Sequence, residues 1–103
     1  MPSEIYQGEV LEIEGIKDPV IVVSKPRFNM SGTVVGCPFL TKCSPSALHI
    51  KLSLDDKEGC AICEDLRLID LRVRGHHRLY RLSTLDTMEV ADAVQSIFDY
   101  IYQ

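Results

Sequence analysis

No stretch of this sequence approaches the roughly 20 consecutive apolar residues that a membrane-spanning helix requires, so no membrane association is expected. Its start, Met1-Pro2-Ser3-Glu4, lacks the basic n-region and apolar core of a secretory signal. That absence leads to the expectation of a cytoplasmic protein. A disulfide framework is not expected either, because the four cysteines of an unexported chain stay reduced in a cytosol. A Gly-rich phosphate loop, a hydrolase serine elbow and a dinucleotide fingerprint are all missing. Repeats, low-complexity tracts and linkers are missing too. A length of 103 residues suffices for one domain with a real hydrophobic core but not for two.

Basic charge is scarce at both ends. The N-terminal stretch carries Glu4, Glu9, Glu12, Glu14 and Asp18 against Lys17, and the C-terminal stretch carries Asp86, Glu89, Asp92 and Asp99 with no base. The net charge of -4 argues against a surface that grips nucleic acid all over. Between those ends lie Arg67, Arg72, Arg74, Arg78 and Arg81, interleaved with His76 and His77 and with Asp70 the sole acid from Leu66 to Leu85. A local stripe of this kind can hold phosphate, since its field acts over a Debye length of about 8 Å in physiological salt. The plainer alternative is a solvated strand pair whose arginines meet nearby acids.

Apolar periodicity supplies the elements. Glu9–Ile13 reads as a strand with Leu11 and Ile13 on one face. After a turn at Gly15 and Asp18-Pro19, the β-branched run Val20–Val23 predicts a strand buried on both faces. Lys25–Gly32 reads as a loop, and Thr33–Pro38 as a strand. Leu48–Leu52 alternates, with the leucines and Ile50 inward and His49 and Lys51 outward; Asp55–Gly59 reads as a turn, Cys60–Cys63 and Arg78–Leu82 as strands. From about 84 to 102 the period becomes helical, Leu85, Met88, Ala91, Val94, Ile97, Phe98 and Ile101 forming an apolar stripe behind a Ser83 cap. Short strands followed by one helix predict a mainly β domain, a curled antiparallel sheet plugged by a C-terminal helix.

Taken in order, the segments resemble the MazF/PemK toxins over almost the whole chain. The resemblance is carried by Gly8-Glu9-Val10, by Pro19-Val20-Ile21-Val22-Val23-Ser24, by Phe28-Asn29-Met30-Ser31-Gly32, and by Val34–Thr41 with its Pro38. Gly59–Arg67, Leu71–Gly75 and the closing helix continue it. It implies a small Src-homology-three-like antiparallel barrel, a homodimer, and metal-independent, cofactor-free cleavage of single-stranded RNA by attack of the 2′-OH, restrained by a cognate antitoxin. The chain departs from the family pattern at three places. Asp18 stands where the family has an Arg before the Pro, Leu40 where it has a Thr, and Glu64-Asp65 where it has Asp-Gln. A catalytically degenerate nucleic-acid- or protein-binding module on the same fold is the alternative.

Under this resemblance Lys17 substitutes for the missing Arg and Thr41 supplies the catalytic hydroxyl if the strand shifts by one residue. Lys25, Arg27, Arg67, Arg72, Arg74 and His76 are the expected nucleic-acid contacts. Each has a plain reading as well: a turn lysine, a loop threonine, solvated loop cations. His76 and His77 have side chains suited to acid–base work near neutrality, yet exposed turn histidines after Gly75 are the default expectation. Cys60-Ala61-Ile62-Cys63 with Cys37 and Cys43 suggests a zinc site only formally, and buried small hydrophobes are the expected role.

Overall fold

Strand β2 (Val20–Val22) is buried at every position and lies between β1 (Glu9–Ile13) and β3 (Thr33–Leu40). The computed structural model describes residues 4–98. In it these strands join β4 (His49–Leu54), β5 (Lys57–Ile62), β6 (Arg67–Asp70) and β7 (His76–Arg81) in one antiparallel sheet ordered β4-β5-β3-β2-β1-β7, with β6 also on β3. β3 changes partner along its length. Thr33–Gly36 pairs with β6, while Phe39 and Leu40 pair with β5. A strand shared in this way turns a corner in the sheet, and the sheet curls as expected, here into a half-barrel.

The curl creates two interiors. Ile21 and Val10 face one, with Cys37, Phe39, Leu52, Leu54 and Ala61; Val20, Val22, Leu11 and Ile13 face the other, with Val34 and Ile69. The β-branched run therefore is buried on both faces, and Leu11 and Ile13 share a side as their alternation predicts. Gly36 sits at the corner, where an added Cβ would lie 2.4 Å from a Val20 methyl. Only a missing side chain lets β2 and β3 approach so closely.

Helix α2 (Thr84–Ser96) closes the first interior, and the Ser83 hydroxyl accepts the Asp86 N–H at 3.1 Å as the expected cap. Its buried face differs from the expected stripe. Val90 and Ala93 are buried and Ala91 and Val94 half-buried, whereas Leu85, Met88 and Phe98 are 74%, 55% and 71% exposed. Steps of three residues fall about 60° short of a full turn, so a stripe read in threes drifts around the helix. Small residues occupy the docking side because the helix approaches the backbone closely. Gly8, at φ +92°, leaves room for Thr87, whose hydroxyl an added Cβ would meet at 2.3 Å. The part of the expected helix beyond 98, with Ile101, lies outside the described residues.

Three local expectations are corrected. The Lys25–Gly32 segment contains a short helix, α1 (Pro26–Asn29), opened by a proline at its first turn. Buried Asn29 holds it in place, donating to the carbonyls of Ile5 (2.8 Å) and Ser24 (3.1 Å) and accepting from the Ser24 hydroxyl. The turn after β4 is limited to Asp55 and Asp56, with Asp55 at φ 54°, and Lys57–Gly59 already belongs to β5. His76 and His77 open β7 instead of sitting in a turn.

The cysteines divide differently from expectation. Cys43 and Cys60 form a disulfide, their Cα atoms 6.2 Å apart. The pairing of Leu40 with Cys60 puts the chain leaving β3 beside β5, and so brings Cys43 back over Cys60. Cys37 and Cys63 are free, buried thiols. The hydrogen bond to Cys63, together with burial, pushes the Cys37 thiol up, so it acts as a small core hydrophobe as expected. One bond and one buried thiol pair do not compose a four-thiolate zinc set.

Two outcomes are expected in urea unfolding. With a sequence separation of 17, Cys43→Ser should lower stability by about 3 kcal/mol, and a reductant should abolish the difference from the unsubstituted chain. Val90→Asp should unfold the domain, while Leu85→Asp on the outward side should cost less than about 0.5 kcal/mol.

Candidate active-site cleft

The loop joining β1 to β2 turns at Gly15, whose φ of +83° suits glycine, and presents Lys17 and Asp18 toward the second half of β3. There Gly36, Pro38 and Leu40 form one wall of a cavity of about 220 Å³, and Asp65 and Arg67, at the entry to β6, form another. The β3–β6 pairing of Gly36 with Arg67 fixes that second wall. Two cations and two carboxylates thus line one cleft. The Arg67 Nε lies 3.5 Å from Asp65. A larger cavity, about 340 Å³, adjoins it, and Lys17 lines both.

The expected site residues separate into three groups. Lys17 and Arg67 stand in the cleft. Arg74 and His76 flank it at the β1–β2 turn. Arg74 donates to the Glu14 carbonyl at 3.0 Å, and a ring nitrogen of His76 lies 3.1 Å from the Arg74 carbonyl. Lys25, at the cap of α1, and Arg27, within it, lie beyond the far end of β2. Arg72 is near them, its side chain packed over Gly32. Thr41 is exposed on the bend just past β3; Leu40, its neighbour, lines the cleft.

Most of the arginine stripe is already engaged. Arg72 grips Asp70 through two bonds of 2.9 and 3.0 Å, which holds the Asp70 carboxyl below its usual range. Arg78 reaches Glu9 at 2.8 Å, and Glu9 is 2% exposed and also accepts the Tyr6 N–H. Arg81 lies 4.7 Å over the Tyr6 ring. Of these, the Arg78–Glu9 pair has the form of the plainer alternative, a strand arginine meeting an acid of the N-terminal stretch, whereas Arg72 meets an acid within the stripe itself. Asp65 as a cleft wall escaped the sequence reading, because β6 carries no clear alternation. Its signal was the Asp65-x-Arg67 spacing, which places both side chains at one strand end.

Glu64 faces away from the cleft and binds His49 at 2.8 Å. That bond, with the Ser44 carbonyl, raises the His49 imidazole above its ordinary value, and the same bond lowers the Glu64 carboxyl. Among the described residues, no group of three or more His, Cys, Asp or Glu is placed to hold a metal ion. No helix among them is long and apolar enough to cross a membrane.

A family profile described as PemK-like, MazF-like toxin of type II toxin–antitoxin system matches residues 5–98. The fold is similar to a MazE–MazF crystal structure from Deinococcus radiodurans, with a TM-score of 0.82 and 18% identity over 94% of this chain and 98% of that one. It is similar to an endoribonuclease in complex with its cognate antitoxin from a mycobacterial species, at TM-score 0.78 and 14% identity over 96% and 99%. The Mycobacterium tuberculosis toxin MazF-mt6 aligns at TM-score 0.65 and 16% identity over 82% and 89%. No curated protein matches the sequence.

The His49–Glu64 pair generates a pH prediction. The raised imidazole contributes stability fully below about 6.5, lost as pH rises through its folded value. The lowered carboxylate contributes above about 4.5, lost as pH falls through its folded value. The pair should therefore act between those limits. In an NMR titration His49 should titrate above about 6.5, and Glu64→Gln should return it toward that value.

Proposed function

The chain belongs to the PemK-like, MazF-like toxins of type II toxin–antitoxin systems, and from that premise we propose that it is an endoribonuclease toxin that cuts single-stranded RNA without a metal and is restrained by a cognate antitoxin. The observation that carries this reading is the cleft where Lys17 and Arg67 stand with Asp18 and Asp65. Cleavage by the neighbouring 2′-OH needs a proton acceptor, a proton donor and cationic stabilisation of the phosphorane. Asp18 accepts the 2′-OH proton as the 2′ oxygen bonds to phosphorus. The P–O5′ bond breaks, and the Lys17 ammonium gives a proton to the leaving 5′ oxygen. Arg67, with its planar fork, holds the remaining phosphate oxygens. The products are a 2′,3′-cyclic phosphate and a 5′-OH, and no water is consumed.

The outlying residues fit a longer strand. Arg74 and His76 flank the cleft and meet the adjoining backbone, while Lys25, Arg27 and Arg72 meet it further along, Arg72 exchanging its bonds to Asp70 for phosphate. Thr41, outside the cleft wall, contributes a hydroxyl to flanking RNA and not to the scissile phosphate. The antitoxin and the second copy of a homodimer are carried over with the family. The outward apolar residues Leu85 and Met88 of α2 give a protein partner something to cover.

A second reading, a binding module without catalysis, is favoured by the same two carboxylates, which offset the cleft's cations. RNA offered to the purified protein in EDTA separates the two. Discrete fragments ending in cyclic phosphate are expected, with Lys17→Ala and Arg67→Ala each slowing cleavage about 100-fold. Asp18→Asn should slow it by about 100-fold or more, and Thr41→Val by less than about tenfold. Intact RNA at enzyme excess, with binding retained, would leave the binding module.

A further inference from the structure

The two sulfurs of the Cys43–Cys60 bond stand in different surroundings. Cys60 is 1% exposed, and its backbone is fixed on both sides, opposite Leu40 of β3 and Lys51 of β4. Cys43 is half-buried in the segment 41–48 that joins β3 to β4, where Thr41, Lys42 and residues 44–47 are exposed. No strand among the described residues pairs with that segment. Its second half is a turn, the Ser46 N–H donating to the His49 carbonyl at 3.2 Å. Its first half has one hydrogen-bonding tie among the described residues besides the disulfide. The Ser44 carbonyl lies 3.1 Å from a ring nitrogen of His49, whose other ring nitrogen meets Glu64 at 2.8 Å.

A thiolate opens a disulfide by attacking one of its sulfurs, and access decides which one. Burial leaves that access at Cys43 and withholds it at Cys60. Cys37 and Cys63, 1% and 0% exposed, are closed to the same reagent. The four cysteines therefore offer a small thiol one point of entry.

We propose that Cys43 is a reversible thiolation site, at which a low-molecular-weight thiol of the glutathione class displaces Cys60 and frees the chain around Cys43 from β5. The thiolate of the small molecule bonds to the Cys43 sulfur, the Cys43–Cys60 bond breaks, and Cys60 leaves as a thiolate that takes up the proton the small thiol gave up. A second small thiol then attacks the small-molecule sulfur of the mixed disulfide. It departs as the oxidised small-molecule disulfide, and Cys43 takes up its proton. The protein gains two electrons and two protons, which the two small thiols lose. Run backward, the same steps close the bond. His49 favours closure, because its hold on Ser44 keeps Cys43 near Cys60 and so raises the effective concentration of the two thiols. The chain that is freed begins just past Leu40, which borders the cleft, but the exchange itself requires no reaction there.

The test takes the folded, disulfide-bonded chain through buffers of reduced and oxidised glutathione, stops exchange with acid, and maps the cysteines by peptide mass. A glutathionyl group is expected on Cys43 and none on Cys60, with Cys37 and Cys63 recovered as thiols. On opening, the amide order parameters of Thr41, Lys42 and Ser44 should fall below about 0.6, while those of residues 59–61 stay unchanged. Cys43→Ser, which leaves the buried cysteines in place, should take up no glutathione and show the low order parameters without any added thiol. His49→Ala should shift the glutathione equilibrium toward the open form by up to about tenfold, the worth of one hydrogen bond. Glutathione on Cys60, modification of all four cysteines together, or a bond that opens only as the domain unfolds would overturn the site. So would order parameters that do not change when the bond opens.

Discussion

Everything in this molecule depends on β2 having no solvent face. A strand of Val20, Ile21 and Val22 must be covered on both sides, and a flat sheet with one helix covers only one. The sheet curls instead, and β3 makes the curl possible by leaving β6 for β5 halfway along. Gly36 sits where the chain has to come closest. At that corner Gly36, Pro38 and Leu40 of β3 border the cleft, and the β1–β2 loop lies across from them. One side of the cleft is thus β structure, these residues with Arg67 at the start of β6, and the other is the loop that carries Lys17 and Asp18.

Charge is distributed by the same geometry. Arg78 on β7 is met by buried Glu9 of the neighbouring β1, while Arg72, in the turn after β6, is met by Asp70 two residues before it. The Glu9–Arg78 contact is the one that matters for folding, because removing the arginine would leave a carboxylate stranded in an apolar environment. The exposed pairs contribute little. At the β1–β2 loop and the entry to β6, Lys17 and Arg67 stand beside Asp18 and Asp65. The disulfide from Cys43 to Cys60 anchors the loop beyond Thr41 close by. The expectation that all four cysteines stay reduced fails at this one bond.

Periodicity made much of the architecture legible. Alternation in Glu9–Ile13 and Leu48–Leu52, the β-branched run at Val20 and the Ser83 cap each follow from which face is buried, and burial leaves a direct trace in composition. The order of the short motifs identified the family. Less was visible in α2, where the large residues Leu85 and Met88 look like a packing face and the small residues Val90 and Ala93 form it. Hydrophobicity records what a residue prefers, while the docking distance set by Gly8 decides which sizes fit.

The sequence by itself determined the fold class, the two-sided burial of β2 and the placement of Lys17 in a turn, because each depends on near neighbours and on period. Only the tertiary structure decided that Asp65 and Arg67 face Lys17, that Cys43 meets Cys60, and which arginines are occupied. Those facts depend on strand register and on contacts between residues far apart in the chain. No local pattern encodes a register: a shift of one residue keeps the composition and turns every side chain to the other face.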